Sequence, residues 1–298
     1  MKKPKVIIII LTWNGKEVTA ECLESIEKIT YPNYEVLVVD NGSSDDSDVY
    51  LKMKFPWISV IKIKKNIGFT GGSNRGLREA LTKDCDLFFL LNNDTIVATD
   101  FLDNLVDEFL QHPDAGLANP KIYFYDEPKR IWWVGGCISF FLGGYHYAFK
   151  KVDTGKYDTV RTVNFNTGCG LLIKREVLDK VGLLNEKLYG YGEDLEWCLR
   201  INKAGFRGLY VPASVIWHKE GVDFKKNTNN AFRRYLTTRN LTYIFYKHYP
   251  TMKFFLFTLY FLFLWGPYKT IRCVLAGQFR EIVSIWKGFF TFKSLTSP

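Results

Sequence analysis

Continuous apolar runs alternate with amphipathic stretches along the first part of the chain. Residues 6–11 and 87–91 are unbroken aliphatic or aromatic runs, as expected for central parallel strands that are covered on both faces. Apolar residues at helical spacing over 17–29 and a further apolar run over 34–39 complete a βαβ unit. The pattern therefore predicts an α/β fold, with a mainly parallel central sheet and flanking helices.

Polar clusters follow the predicted strands at the points where the apolar runs stop. The clusters are Thr12 and Asn14, then Asp40 and Asn41, and finally Asn92, Asn93 and Asp94. Ligands of open α/β sheets bind beyond the carboxyl ends of the strands, so these side chains predict one crevice and make Asp94 a candidate metal ligand. The alternative is a turn in which Asp94 or Thr95 caps a helix predicted over 101–111.

The segment 66–76, NIGFTGGSNRG, carries four glycines before a helix predicted over 77–82. It follows the third predicted strand, 57–63, and matches neither the GxGxxG turn of a dinucleotide fold nor a GKS or GKT phosphate loop. The glycines favour either a close approach of the backbone to a ligand or a flexible loop at a helix start.

From residue 118 the pattern changes to hairpin-like pieces over 119–125, 131–141 and 161–173, which predict a second, mixed part of the sheet. Glu193 and Asp194 precede a helix predicted over 195–204, where the helix dipole favours anions; first-turn capping is the alternative. His218 follows a strand predicted over 206–217, in which Pro212 indicates an edge or bulge. A lone histidine in such a place is more often structural than a ligand.

Positive charge is concentrated in residues 219–298, which hold thirteen Lys and Arg against three Asp and Glu; this segment carries +10 and residues 1–218 carry −1. A basic, aromatic tail favours a membrane face with anionic lipids over a nucleic-acid groove. A helix is predicted over 235–249, and the apolar run 254–265 is broken by Gly266 and Pro267. Twelve residues make about 18 Å of helix, short of the roughly 30 Å hydrocarbon core, so the tail predicts interfacial or re-entrant helices. A dimer interface or a folded-back helical cap is the alternative.

The six cysteines form no CxxC pair, which favours reduced core thiols and a cytosolic location and argues against zinc. The apolar run that follows the N-terminal lysines is too short for a signal peptide, and it predicts the first strand instead.

Seven motifs now stand in one order: TWNG, VVDNGSSD, NIGFTGGSNRG, LLNNDT, NTGCGLLIKREVL, YGEDLEWCLRINKAGFR and VIWHKEG. Together they resemble the family 2 inverting glycosyltransferases of GT-A fold, particularly the rhamnosyltransferase-like branch. The likeness covers residues 5–221, and the joint order of the motifs is far more specific than any one of them.

The resemblance implies a role for each matching position. Asp40 would contact the nucleotide base of the donor, and the remaining donor-binding positions would be Thr12, Asn14, Asn41, Asn66, Gly71, Asn74, Asn92 and Asn93. Asp94 and His218 would hold Mg²⁺ or Mn²⁺ against the diphosphate. Asp194 would be the catalytic base, with Glu193 beside it. The acceptor would lie near Thr167, Gly168, Cys169 and Gly170.

Two features depart from, or refine, the family pattern. Asn92 stands where the DxD motif is usually acidic, so one carboxylate would rely on His218, donor phosphates and water. Mg²⁺ accepts such a site, whereas an imidazole ligand favours Mn²⁺, and both ions stay open. The chain has no QxxRW after GED, a motif associated with processive synthases, which favours addition of a single sugar.

The sequence therefore predicts a catalytic domain over 1–221 and a helical, membrane-associated segment over 222–298. The expected reaction is inverting sugar transfer from a dTDP-, UDP- or GDP-sugar to a saccharide or lipid-linked saccharide, at the cytoplasmic face of the membrane. Nucleic acid is not an expected partner, and a homo-oligomer stays open. The alternatives are a nucleotide-sugar-binding protein without catalysis and a sugar nucleotidyltransferase, although TWNGKE does not resemble the phosphate loop of the latter.

Overall fold

The computed structural model describes residues 3–141, 143–220 and 230–296. Twelve strands lie in these ranges: β1 (Val6–Thr12), β2 (Tyr34–Asp40), β3 (Ser59–Lys62), β4 (Leu87–Asn92), β5 (Thr95–Val97), β6 (Ala115–Phe124), β7 (Ile131–Trp133), β8 (Gly136–Ser139), β9 (Gly143–His146), β10 (Arg161–Val163), β11 (Gly170–Lys174) and β12 (Arg207–His218). The helices are α1 (Lys16–Ile26), α2 (Ser47–Lys54), α3 (Gly68–Leu81), α4 (Phe101–Leu110), α5 (Arg175–Val181), α6 (Glu193–Lys203), α7 (Asn230–His248), α8 (Thr251–Tyr260), α9 (Gly266–Leu275) and α10 (Phe279–Thr291). A π-helical segment, Phe261–Trp265, joins α8 to α9, and short 3-10 helices occupy Glu186–Leu188 and Phe292–Leu295.

The central sheet has the strand order β10-β12-β6-β11-β4-β1-β2-β3, with β5 added to β12 and β7 to β6. The strands β1, β2, β3, β4, β6 and β12 all run in one direction, whereas β10 and β11 run against them. The carboxyl ends of β1, β2, β4 and β12 therefore meet at one edge. This edge carries Thr12, Asp40, Asn92 and His218.

Both faces of the sheet are covered by helices, as the unbroken apolar strands predict. Alternate residues of β1 point to opposite faces: Ile8 and Ile10 join one core cluster with side chains of α1 and α4. Ile7 and Ile9 join a second cluster with side chains of α3, α5 and α6. A mainly parallel sheet with helices on both faces is confirmed.

Helix α3 begins at Gly68, nine residues before the predicted start. The glycines neither form a flexible loop nor interrupt the helix. A Cβ atom on Gly72 would lie 2.4 Å from Leu11 Cδ1, and one on Gly76 would lie 2.5 Å from Ile9 Cγ2. These two glycines therefore allow α3 to pack closely against β1, which local helix propensity does not reveal.

Two of the predicted hairpin-like pieces each form two strands. The segment predicted over 131–141 forms β7 and β8, because the chain turns at Gly135, which has a φ of +100°. The segment predicted over 161–173 forms β10 and β11 around a loop. The irregularity expected at Pro212 is confirmed, since the pairing register of β12 with β6 shifts between Val211 and Val215.

The tail contains a longer helix than predicted. Gly266 and Pro267 do not break the helix, because residues Thr251–Leu275 form one helix of 25 residues. The π-helical segment ends at Trp265, two residues before Pro267. Such a segment re-spaces the hydrogen bonds where proline lacks an N–H group. At 1.5 Å per residue the helix is about 37 Å long. Among the described residues it is the one helix that is long and apolar enough to cross a membrane, by length and composition only.

The first tail helix packs on the sheet-containing part of the chain. Tyr243 and Ile244 of α7 belong to the same core cluster as α6. Phe245 of α7 stacks on Phe257 of α8, with ring centroids 4.1 Å apart. Phe261 of the π-helical segment stacks in the same way on Phe289 of α10, with centroids 3.9 Å apart. The predicted domain boundary at residues 221 and 222 lies outside the described residues.

Candidate active site

The ends of β1 and β2 lie side by side, with Thr12 paired to Asp40. Asp40 is fully buried, and its Oδ1 atom accepts a hydrogen bond from the Ser43 backbone N–H at 2.9 Å. Its Oδ2 atom has no hydrogen-bond partner within the described ranges. A buried carboxylate oxygen without a partner is costly, so this atom is suited to accept a hydrogen bond from a ligand.

The loops that follow β1 and β2 are tied to each other. Asn14 has a φ of +52°, its backbone N–H donates to Ser43 Oγ at 2.9 Å, and its Oδ1 accepts from the Ser44 N–H at 2.8 Å. Thr12 Oγ1 lies 2.9 Å from Thr19 Oγ1. These contacts hold the walls around Asp40 in place.

Two predicted donor-binding amides join this region to α3. Asn41 Nδ2 donates to Asn66 Oδ1 at 3.1 Å and to the Gly68 carbonyl at 3.0 Å, and Asn41 Oδ1 accepts from the Ile67 N–H at 3.1 Å. Gly71 lies in the first turn of α3. The structure thus gathers these positions beside Asp40.

Asn74 is placed differently from the other predicted donor contacts. Its Nδ2 donates to the Leu184 carbonyl at 2.8 Å and to Glu186 Oε1 at 2.9 Å, while its Oδ1 accepts from the Leu184 N–H at 3.0 Å. Both ends of the amide are engaged by this distant segment. These contacts hold α3 against residues 184–186, and the predicted role of Asn74 in donor binding stays a prediction.

Asp94 and His218 form a buried pair, with Asp94 Oδ1 and His218 Nε2 3.0 Å apart. Strand β5 brings them together, because Thr95 pairs with His218 across β5 and β12. Adjacent ligands of an octahedral ion at about 2.1 Å also lie about 3 Å apart, so the pair fits a shared divalent cation. Within the described ranges no cluster of three His, Cys, Asp or Glu side chains has metal-binding geometry, so phosphate oxygens and water would complete such a site.

His218 lies in a charged and aromatic environment. Burial by itself lowers the pKa of His218, but the neighbouring Cys169 and Asp94 outweigh burial and raise it well above its ordinary value. The ring of Trp132 contacts the imidazole edge-on, with centroids 4.6 Å apart. His218 Nδ1 has no hydrogen bond to the described residues. Because an imidazole has to be neutral to bind a metal ion, binding of a divalent cation at this pair would weaken as the pH falls.

The remaining two asparagines of the NND segment border this pair. Asn93 Nδ2 donates to Thr19 Oγ1 at 3.1 Å, which connects the segment to α1. The backbone N–H of Asn92 donates to the Cys169 carbonyl at 2.9 Å. The NND segment thus contacts both Thr19, which is the hydrogen-bond partner of Thr12, and the loop 167–170.

The loop 167–170 links the buried pair to the two acidic residues of α6. Cys169 is an electrostatic neighbour of His218, and the Gly168 backbone N–H hydrogen-bonds to the Asp194 carboxylate. Asp194 also accepts the Leu195 N–H at 2.8 Å. Thr167 is buried and Gly170 begins β11, so this loop is fixed at both ends. The predicted acceptor, metal and base positions are therefore contiguous.

The two neighbouring carboxyl groups differ in how well their charged forms are stabilised. Burial raises the pKa of Asp194 to about 6, against the opposing hydrogen bonds from Leu195 and Gly168. Burial, followed by the Asp194 carboxylate, raises the pKa of Glu193 to about 8. The two groups titrate together, and Asp194 is the better stabilised anion because it accepts the Leu195 N–H, whereas Glu193 Oε2 has no hydrogen-bond partner among the described residues.

A cavity of about 270 Å³ opens beside His218. Its walls combine rings, three basic side chains and three acidic ones: Phe124, Tyr125, Asp126, Glu127, Arg130, Lys150, Lys219 and Glu220. Rings and polar groups of both signs are suited to an uncharged, hydroxyl-rich ligand.

Three residues near the site were not predicted from the sequence. Asn119 donates to the Thr167 carbonyl at 2.8 Å, Trp132 contacts His218, and Asn240 of α7 binds the loop before α6. Asn119 and Asn240 are fully buried. The available signal was an amide side chain in the middle of a strand or helix, because an amide that is buried there needs hydrogen-bond partners.

Comparison with known proteins gives a family match over most of the chain. The model of the family described as Glycosyltransferase like family 2 matches residues 4–237. The N-acetylglucosaminyl-diphospho-decaprenol L-rhamnosyltransferase of Mycobacterium tuberculosis is 23% identical, over 71% of this chain and 75% of the relative. The O-antigen chain rhamnosyltransferase RfbN of Salmonella typhimurium is 25% identical, over 78% of this chain and 71% of the relative. Protein y4gI of Sinorhizobium fredii is 28% identical over 73% of this chain, which spans only 24% of that relative.

Two solved structures share the fold at 18% sequence identity. GalNAc-T7 with UDP, GalNAc and Mn²⁺ has a TM-score of 0.62 over 82% of this chain and 48% of its own. The mannosyltransferase PcManGT of Pyrobaculum calidifontis with GDP-Man and Mn²⁺ has a TM-score of 0.58 over 99% of this chain and 74% of its own. At this identity the likeness establishes the fold alone, and it confirms the predicted GT-A architecture.

Proposed function

The chain belongs to the glycosyltransferase-like family 2, and on this premise we propose that it transfers a single sugar from a nucleoside-diphosphate sugar to an acceptor hydroxyl, with inversion at the anomeric carbon. The observation that carries the proposal is the loop 167–170, which touches the Asp94–His218 pair through Cys169 and the Asp194 carboxylate through Gly168. A leaving-group site and a base therefore stand on either side of one short loop.

Asp194 acts as the base in this proposal. It takes the proton of the acceptor hydroxyl as that oxygen attacks the anomeric carbon opposite the leaving diphosphate. Its pKa of about 6 leaves it ionised near pH 7 and still basic enough to receive the proton. Burial and the neighbouring Asp194 charge both raise the pKa of Glu193, which favours its neutral form beside an ionised Asp194.

Asp94 and His218 would hold a divalent ion, Mg²⁺ or Mn²⁺, beside the diphosphate. When bound, the ion supplies positive charge that offsets the charge developing on the leaving diphosphate. Both structural neighbours named above were solved with Mn²⁺, which supports this assignment.

Asp40 would recognise the base of the donor nucleotide. Its buried Oδ2 atom can accept an N–H group, which uracil, thymine and guanine all present. The donor set comprises Asp40 together with Thr12, Asn14, Asn41, Asn66, Gly71, Asn74, Asn92 and Asn93. A dTDP-sugar is the first donor to test, since two of the relatives are named rhamnosyltransferases.

The acceptor is proposed to be a lipid-linked or cell-surface saccharide reached at the cytoplasmic face of the membrane. The polar cavity beside His218 suits a saccharide, and one relative is named for a decaprenol-linked acceptor. The long apolar helix of the tail exposes Phe263 (71%), Leu264 (64%) and Leu275 (82%). Removal of residues 249–298 is expected to move the protein from the membrane fraction to the soluble fraction; an unchanged membrane fraction would contradict membrane docking, and a loss of dimers would identify a second copy as the occupant.

Donor binding is the experiment that tests the core of the proposal. Purified protein is titrated with dTDP-, UDP- and GDP-sugars with and without Mn²⁺ or Mg²⁺. Metal-dependent binding of one donor, lost in Asp94→Ala, is the expected result. Folded protein that binds none of them with metal present would overturn the proposal. Binding without transfer to any saccharide acceptor would instead indicate a nucleotide-sugar-binding protein.

A further inference from the structure

The loop 189–192 leads directly into α6 and the proposed base, and its backbone is strained. Tyr189 and Tyr191 have φ values of +64° and +65°, and Gly192 has a φ of +91°. Residues with a Cβ atom rarely adopt this left-handed region, so contacts from outside the loop have to hold it there.

Asn240, on the tail helix α7, supplies such contacts. Its side chain is fully buried, and Nδ2 lies 2.8 Å from the Leu188 carbonyl, 2.8 Å from the Gly190 carbonyl and 2.7 Å from the Tyr191 carbonyl. One NH₂ group thus gathers three carbonyls from a stretch of four residues.

Arg239 fixes the orientation of that amide. Its Nε and Nη2 atoms donate to Asn240 Oδ1 at 3.1 and 2.9 Å, which leaves the NH₂ group of Asn240 facing the carbonyls. The guanidinium is itself placed over the ring of Tyr235, 5.3 Å from its centroid. The donor end of Asn240 is therefore preset toward the loop.

We propose that Asn240 is a positioning residue of the active site: by holding the loop 189–192, it sets where α6 begins and where Asp194 stands relative to the loop 167–170. This inference rests on the proposed function, in which Asp194 is the base. Gly168 fixes the Asp194 carboxylate from one side, and Asn240 fixes the backbone that carries it from the other. The tail is thus part of the catalytic arrangement.

The tail offers a matched control for the test. His248, eight residues after Asn240 on α7, contacts α6 through Glu196, with its Nε2 atom 3.0 Å from Glu196 Oε1. This contact does not involve the carbonyls of the loop 189–192. His248→Ala therefore loosens the same helix without releasing the loop.

The test compares Asn240→Ala with His248→Ala in the full chain, using the donor and metal identified by titration. For Asn240→Ala we expect kcat to fall by about a hundredfold, because a misplacement of about 1 Å costs that much, while donor Kd changes by less than about threefold. His248→Ala is expected to keep kcat within about threefold.

A second readout separates positioning from general destabilisation. A released loop admits water to Asp194, so the acid limb of the kcat/KM profile of Asn240→Ala should move to lower pH. The other titratable groups beside Asp194 are Glu193, Tyr191 and Cys198, and the substitution leaves them in place. Equal losses of kcat in the two variants, or an unshifted acid limb, would overturn the inference.

Two further variants make the test conclusive if Asn240→Ala does not fold or if the proposed base is wrong. If Asn240→Ala does not fold, Arg239→Lys removes the two-pronged contact to Oδ1, and a kcat loss of about tenfold with unchanged donor Kd is expected; full activity would overturn the inference. Asp194→Asn is measured alongside. Wild-type turnover in Asp194→Asn would refute the proposed base, whereas lost turnover there and full activity in Asn240→Ala would refute only the positioning role.

Discussion

The site has two parts that are built in different ways. The donor half surrounds Asp40, and the chemical half contains Asp94, His218 and Asp194. Around Asp40 the contacts between the loops join residues 25 to 30 positions apart, since Asn14 binds Ser43 and Ser44, and Asn41 binds Asn66 and Gly68. The chemical half draws on more of the chain, because Asp94 meets His218 of β12 and Asn240 binds the loop before α6 from 50 residues away. Donor binding should therefore tolerate changes that stop turnover, and the two halves should separate by mutation.

Asp194→Asn should show the largest difference between the loss of turnover and the change in donor affinity. Loss of a general base costs about 10²- to 10⁴-fold in rate, so we expect kcat to fall about a thousandfold with donor affinity within about threefold of wild type. The matched control is Asp179→Asn, an exposed carboxylate on α5, which should keep its rate. Glu193→Gln should lose far less rate than Asp194→Asn, because burial and the Asp194 charge raise the pKa of Glu193 and so favour a neutral side chain that Gln replaces closely. A wild-type rate in Asp194→Asn would end the assignment of the base.

Asp94→Ala should reduce both donor binding and turnover. The variant loses the single carboxylate of the proposed metal site, so metal-dependent donor binding and turnover are each expected to fall by about a hundredfold. Isothermal titration with and without Mn²⁺ measures the first effect and a sugar-transfer assay the second. Donor binding that stays metal-dependent in Asp94→Ala would place the ion elsewhere.

Asp40→Ala should affect the donor half alone. Its Oδ2 atom is the proposed partner of the base, and one hydrogen bond to a charged group contributes about 1.5–3 kcal/mol, which corresponds to about ten- to a hundredfold in donor Kd. At saturating donor, kcat should stay within about threefold. A kcat loss as large as that of Asp194→Asn would show that the two halves are not separable.

The pH dependence of kcat/KM should also distinguish the two halves, with a smaller effect than the substitutions above. The folded protein raises the pKa of Asp194 to about 6, so the base is ionised above that pH and is lost as the pH falls through it. We expect kcat/KM to fall about tenfold per pH unit below pH 6. Asp40→Ala should retain this profile. An acid limb near pH 4 would contradict the burial of Asp194.

The sequence predicts much of the site because polar side chains follow apolar runs. Asp40, Asp94 and His218 each stand at the end of such a run, and parallel strands bring those ends to one edge. The role of Asp194 as the base is implied by the resemblance to family 2 glycosyltransferases alone, since acidic residues at a helix start are equally well explained by capping.

Tertiary packing explains what the sequence does not predict. The glycines of α3 suggest a loop, but Gly72 and Gly76 serve the contact with β1. Pro267 suggests a helix end, but a π-helical segment accommodates it. Asn74 and Asn240 bind segments 110 and 49–52 residues away in the chain, which no local pattern reveals.

The position of Asn240 also limits how this enzyme can be shortened. A version that ends before α7 would keep every motif of the family pattern, yet it would leave the carbonyls of Leu188, Gly190 and Tyr191 without their amide partner. A version that ends after His248 keeps those residues and removes the exposed apolar helix, and it also uncovers Phe245 of α7, which stacks on Phe257 in the full chain. Protein chemists who seek a soluble, active enzyme should therefore cut between α7 and α8, where Pro250 separates the two helices.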